Sequence, residues 1–129
     1  MFTIKDIQEA HRKVKSGTDF PAYIQDLKNL GVENYTSFVI DGHTDFFGKS
    51  DYKITSSSKY DTLQIALQSV KEQFIIDLKN HQQGNTDYLT FCNDCAKSGI
   101  EKWVVDLQKM TCTYYDSSGI IIFIEQVPE

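Results

Sequence analysis

Asp19-Phe20-Pro21-Ala22-Tyr23-Ile24-Gln25-Asp26-Leu27-Lys28-Asn29-Leu30-Gly31-Val32-Glu33-Asn34-Tyr35 returns in altered form as the stretch from Asp87 to Trp103. Without a gap, Asp19 falls on Asp87, Asp26 on Asp94, Gly31 on Gly99 and Glu33 on Glu101, always at one separation (87 − 19 = 68). The exchanges between these identities keep physical type: Phe20 with Tyr88, Tyr23 with Phe91, Val32 with Ile100, Tyr35 with Trp103, then Phe46-Phe47 with Tyr114-Tyr115. Periods of about 20–50 residues signal solenoids. A longer period that occurs twice predicts two similar halves of one domain, here about 3–55 and 69–126 of a single domain 1–129, related by an approximate twofold axis.

Each copy has the chemistry of a helix running into a strand. Asp is a favoured N-cap, and Gly just past a helix takes the left-handed conformation that ends it. Asp19 and Gly31 bracket one helix, Asp87 and Gly99 the other, and Val32 or Ile100 supplies the apolar residue that folds back on the last turn. Asp26, Asp94, Glu33 and Glu101 have no such structural duty; solvated carboxylates are the plain reading, and ligand contacts the alternative.

At 129 residues the chain suits one ordinary domain with a core of its own. Its 40% hydrophobic content argues against disorder, and its formal charge of −5 argues against nonspecific nucleic-acid binding. Residues 1–7 mix charges with apolar side chains and lack a signal-peptide core. The apolar run 120–124 is far too short to span a bilayer, so no membrane insertion is expected. Three cysteines, an odd number, fit a reducing cytoplasm.

Thr3-Ile4-Lys5-Asp6 has the form of a capping box that opens a first helix, ended by Gly17, with His11 a structural residue beside its apolar stripe. After the helix from Asp19 to Leu30, residues 35–40 read as a strand, Asp41-Gly42 as a two-residue hairpin turn, and 44–47 and 52–55 as further strands. Residues 55–60 read as the loop between halves and 62–67 as an extra strand. Ser69-Val70-Lys71-Glu72 reads as a second capping box, opening a helix that closes near Gly84. The helix of residues 87–98 follows, then strands at 101–108, 111–115 and 120–126, with a turn at 116–119. The fold class is α+β: helix-helix-strand-strand-strand units, with an antiparallel sheet packed against helices.

Cys92-Asn93-Asp94-Cys95 invites a zinc or redox reading. The repeat points elsewhere, because Cys92 falls on Ile24 and Cys95 on Leu27, positions that pack as hydrophobes. Cys112 with His81 or His43 lacks the second pair of ligands that a structural zinc site shows, and no metal or cofactor is expected. Asp41, His43 and Asp45 form the most reactive-looking cluster, although turns are polar for their own sake. The recurring aromatic residues suit a core, with Phe46/Phe47 and Tyr114/Tyr115 each sending one ring to either face of a sheet.

Asp19-Phe20-Pro21-Ala22-Tyr23, Asp41-Gly42-His43-Thr44 and the segments 91–106 and 113–116 resemble the YbcV-like family of small bacterial and prophage-borne proteins, over nearly the whole chain. That family is a domain of unknown function often called a phage envelope protein, and the resemblance implies no catalytic residues. The expectation is a soluble cytoplasmic, non-enzymatic binding or regulatory module with an unknown protein or small-molecule partner. The alternative is a small enzyme or metabolite-binding protein whose site includes Asp41, His43 and Asp45, with Asp26, Glu33, Asp94 or Glu101.

Overall fold

A computed structural model describes residues 1–15 and 17–127. Helix α1 spans Ile4–Arg12 and opens on a complete capping box: Asp6 N–H donates to the Thr3 hydroxyl at 3.2 Å, and Thr3 N–H to the Asp6 carboxylate at 2.9 Å. It stops at Arg12 rather than running on to Gly17, which starts a 3-10 turn, Gly17–Asp19. The cause is local. The Asp19 carboxylate reaches back to accept the Lys15 N–H at 2.8 Å and draws the chain into that turn.

Helix α2, Phe20–Leu30, carries Pro21 in its first turn, where a missing N–H costs nothing. It ends on Gly31 at φ +98°, with Val32 N–H donating to Leu27 O and Gly31 N–H to Lys28 O, the paired closure of a Schellman motif. Strands β1 (Asn34–Phe38), β2 (Thr44–Phe47) and β3 (Lys53–Thr55) follow. Asp41-Gly42 does not make a two-residue turn: residues 39–43 form a longer loop in which Gly42 N–H donates to Phe38 O. Val39 remains hydrogen-bonded to Glu101 O, and the Asp41 side chain accepts the His43 N–H, so the reversal is spread over five residues.

Helix α3 covers Lys71–Gln82 and α4 covers Tyr88–Lys97. Asp87 caps α4 by accepting the Thr90 N–H at 2.8 Å. Ser69 caps nothing; Val70 takes the N-cap position without a side-chain bond, its N–H drawn instead to Ser98 O. The segment 62–67 is no strand either. Its N–H groups are used singly, Leu63 to Ile40 O and Ala66 to Ala96 O, so it ties a loop and a helix end together without forming a ladder.

Strands β4 (Ile100–Asp106), β5 (Thr111–Asp116) and β6 (Ile121–Gln126) complete a six-stranded antiparallel sheet of order β3-β2-β1-β4-β5-β6. The two three-stranded meanders therefore join edge to edge, through β1 and β4, with Thr36 opposite Val104. Side chains alternate as a sheet covered on one face requires. Tyr35, Phe46, Trp103, Val105 and Tyr114 are buried toward the helices, while Thr36, Phe47, Val104 and Tyr115 lie on the open face. The outer strand β6 exposes Ile121 and Ile124, beside a register shift at Tyr114/Tyr115. Among the described residues, no helix is long and apolar enough to cross a membrane.

Candidate functional site

The helix pair α1/α2 and the pair α3/α4 cover the sheet without closing on each other, and a groove of about 560 Å3 remains between them. Tyr35, Ser37 and Thr44 from the first meander and Trp103, Cys112 and Tyr114 from the second form its floor. Tyr23 and Phe20 stand on one wall, Tyr88 and Phe91 on the other. Both members of Phe20/Tyr88, Tyr23/Phe91, Tyr35/Trp103 and Thr44/Cys112 line the groove, and each pair is separated by 68 positions (88 − 20 = 68).

The rings pack mainly edge to face, the arrangement their quadrupoles favour. His11 meets Tyr23 at 5.3 Å between centroids, Tyr88 meets Trp103 at 6.3 Å, and His81 stacks on Phe91 at 4.5 Å. The Tyr23 and Tyr35 hydroxyls and the Trp103 indole N–H have no hydrogen-bond partner among the described residues, yet none is sealed off from solvent space. All three residues line the groove. Burial pushes the Tyr23 and Tyr35 phenols well above their ordinary range, so at neutral pH they are uncharged and able to donate.

Charge in the groove is sparse. Burial, then the nearby Lys59 ammonium, lowers His11 to about 4, and burial outweighs the Thr86 contact in lowering His81, so both imidazoles favour the neutral form. Glu125 accepts from Tyr114 Oη at 2.9 Å and from Gln82 Nε2 at 2.9 and 3.0 Å. The Lys59 ammonium lies 5.3 Å from the centre of the Tyr88 ring. By total surface Lys59 is an exposed residue, but its charged end loses water against the groove wall, which lowers its pKa. It has no ion-pair partner among the described residues.

None of the six carboxylates and the one imidazole singled out in the sequence lines this groove. Asp41 and His43 do meet: Oδ1 accepts the His43 N–H at 3.0 Å and lies 2.5 Å from Nδ1, and the imidazole stacks on Phe38 at 4.4 Å. Burial pushes the Asp41 carboxyl up, but the hydrogen bonds from His43 prevail and hold it below its usual range. Asp45 is directed elsewhere, accepting from the Thr55 hydroxyl at 2.7 Å with Lys53 Nζ at 3.9 Å. Asp26 pairs with Lys13 at 3.7 Å, and Glu33 accepts from Gln108 at 3.2 Å. Burial, then the charge of Asp77, raises Asp94; Glu101 is half-buried on β4.

Cys92 and Cys95 sit in the core at 0% exposure, as do Ile24 and Leu27 at the matching positions, and Cys112 is buried on β5. Among the described residues, no group of three His, Cys, Asp or Glu side chains is arranged to hold a metal ion. Lys59 is a groove residue that carries no sequence signal, standing in a polar serine loop. His11 reads in the sequence as structural, and only its position between Tyr23 and Tyr88 makes it part of a cleft wall.

The fold and the groove define a small α+β domain with an aromatic cleft over one face of an antiparallel sheet. Residues 8–126 match the family described as protein of unknown function (DUF1398), and the chain belongs to that family. No curated protein matches it.

Proposed function

We propose that this protein is a non-enzymatic binding module that holds a small, largely apolar molecule in the groove between its helix pairs. One observation carries the reading: a cavity of about 560 Å3 is walled by aromatic rings and supplied with a few unpartnered polar ends. Ligand sites combine these properties, with volumes of about 300–1,000 Å3 and a small number of placed polar groups. Native mass spectrometry of protein purified gently from its own cells tests it. A bound small molecule, lost when Tyr35 and Trp103 are both replaced by Ala in a variant that stays folded, is the expected result; a purely unliganded protein contradicts it.

The groove position also accords with an internal duplication, which we propose as its origin. The left-handed Gly31 and Gly99 at the ends of α2 and α4, the burial of both Tyr35 and Trp103, and the pairs shared across the groove support that origin. A reducing cytoplasmic setting and a prophage association, as in the YbcV-like proteins, belong to the same proposal. A second reading places an enzymatic or metabolite site at the loop of Asp41 and His43, with Asp45 on the adjoining strand, and is favoured by the Asp41–His43 contact. Replacing His43 by Ala tests it, since ligand binding in the groove is then unchanged if the groove is the site.

A further inference from the structure

We infer that the molecule held in the groove is an amphipathic anion, an apolar or aromatic body bearing a single carboxylate-like group that pairs with Lys59. The inference rests on the binding reading above and specifies its ligand class. Lys59 brings an ammonium to the groove wall, over Tyr88, with no carboxylate at ion-pair distance among the described residues. A charge that has given up part of its hydration without a partner is stabilised by any anion delivered to it. Lys15, also on the lining, adds a second positive charge.

The unpartnered polar groups of the lining point the same way. The indole N–H of Trp103 can only donate, and the neutral hydroxyls of Tyr23 and Tyr35 can donate, so these unpartnered groups of lining residues suit an acceptor. Glu125, the carboxylate on the lining, is already occupied by Gln82 and Tyr114. A cage of aromatic faces is also what quaternary ammonium ligands select. Here the face of Tyr88 is taken by Lys59, whose charge repels a second cation.

Calorimetric titration with three probes of nearly equal shape separates these cases: 2-naphthoate, neutral 2-naphthamide and trimethyl(2-naphthyl)ammonium. Wild-type protein is expected to bind the carboxylate at least about tenfold more tightly than the amide, the margin of one charge-assisted hydrogen bond, and the ammonium most weakly. Lys59→Gln is expected to abolish the carboxylate preference while leaving amide affinity unchanged, which also shows that the variant is folded. Trp103→Leu is expected to weaken carboxylate and amide alike. Equal or tighter binding of the amide or the ammonium, or a preference that survives Lys59→Gln, overturns the anion assignment alone. If none of the three binds at millimolar concentration, the groove-binding reading falls and the anion assignment with it.

Discussion

Thr36 of β1 lies directly opposite Val104 of β4 in the central ladder, and the two positions are those that the repeat aligns (104 − 36 = 68). The helix pairs meet the sheet on either side of this junction, so each half lends the other a strand edge and a groove wall. Fragments 1–68 and 69–129, made separately, are therefore expected to lack a cooperative urea transition, because a unit of about 60 residues is marginal in the surface it buries and each fragment also loses the β1–β4 ladder. Mixing the fragments is expected to restore the far-UV circular dichroism of the intact chain. A cooperative transition in either fragment by itself would show that the junction is not what holds the domain together.

Gly31 and Gly99 end corresponding helices in the same left-handed conformation, at φ +98° and +78°, but in different surroundings. A Cβ on Gly31 meets nothing within 4 Å, whereas one on Gly99 falls 2.6 Å from Gln68 O and 2.8 Å from Ser69 Cα. Gly31→Ala is expected to cost about 1 kcal/mol from the backbone conformation alone, and Gly99→Ala at least about twice that. Urea midpoints of the two variants decide the matter; equal losses would mean that the 66–70 segment does not press against the end of α4.

His11 gives stability a pH dependence of definite sign. Its imidazole titrates near 6.5 when unfolded and at about 4 in the fold, because burial and then Lys59 disfavour the charged form. Between those values the unfolded chain holds more protons, so the contribution is complete above 6.5 and is lost as the pH falls toward 4. His81, also lowered chiefly by burial, acts in the same direction. Allowing for partial exposure, the His11 share is on the order of 1 kcal/mol. Urea midpoints of wild type and His11→Phe at pH 7 and pH 5 provide the check: the wild type is expected to lose more stability than the variant.

The three cysteines are expected to be slow toward Ellman's reagent in the native state and fully reactive in urea. Burial pushes the thiol of each upward, which starves it of thiolate as well as access. A chelator is expected to leave the melting temperature unchanged. Stoichiometric zinc in protein prepared without added metal, together with unfolding by the chelator, would contradict this expectation.

Features with local causes can be read along the chain. The Thr3 capping box, the Asp87 cap, the turns into the left-handed region at Gly31 and Gly99 and the antiparallel meanders each depend on a few neighbouring residues. Ser69 shows the limit: its capping pattern is intact, but a contact with the distant Ser98 claims the Val70 backbone and sets the helix start. Residues 62–67 have strand-like composition and still form no ladder, because their N–H groups answer to Ile40 and Ala96. The groove is less legible again. Tyr35 and Trp103 read as core and are buried, but the gap beside them is set by the spacing of two helix pairs, which no local pattern encodes. Asp41 and His43 draw attention because reactive side chains gather at turns; Lys59, in a polar loop, acquires its place only when the chain folds.

The junction of β1 with β4 also sets an order of events during synthesis. Asn34 is made 72 residues before its partner Asp106 (106 − 34 = 72), so at about 5–20 residues per second the inner edge of β1 waits several seconds for its partner. During that interval the nascent first meander presents the unpaired edge of β1 that β4 later takes. Strand β6, which carries the exposed Ile121 and Ile124, is made after β4 and β5. The central ladder of the sheet therefore cannot form until β4 has been made, whatever the stability of the finished domain.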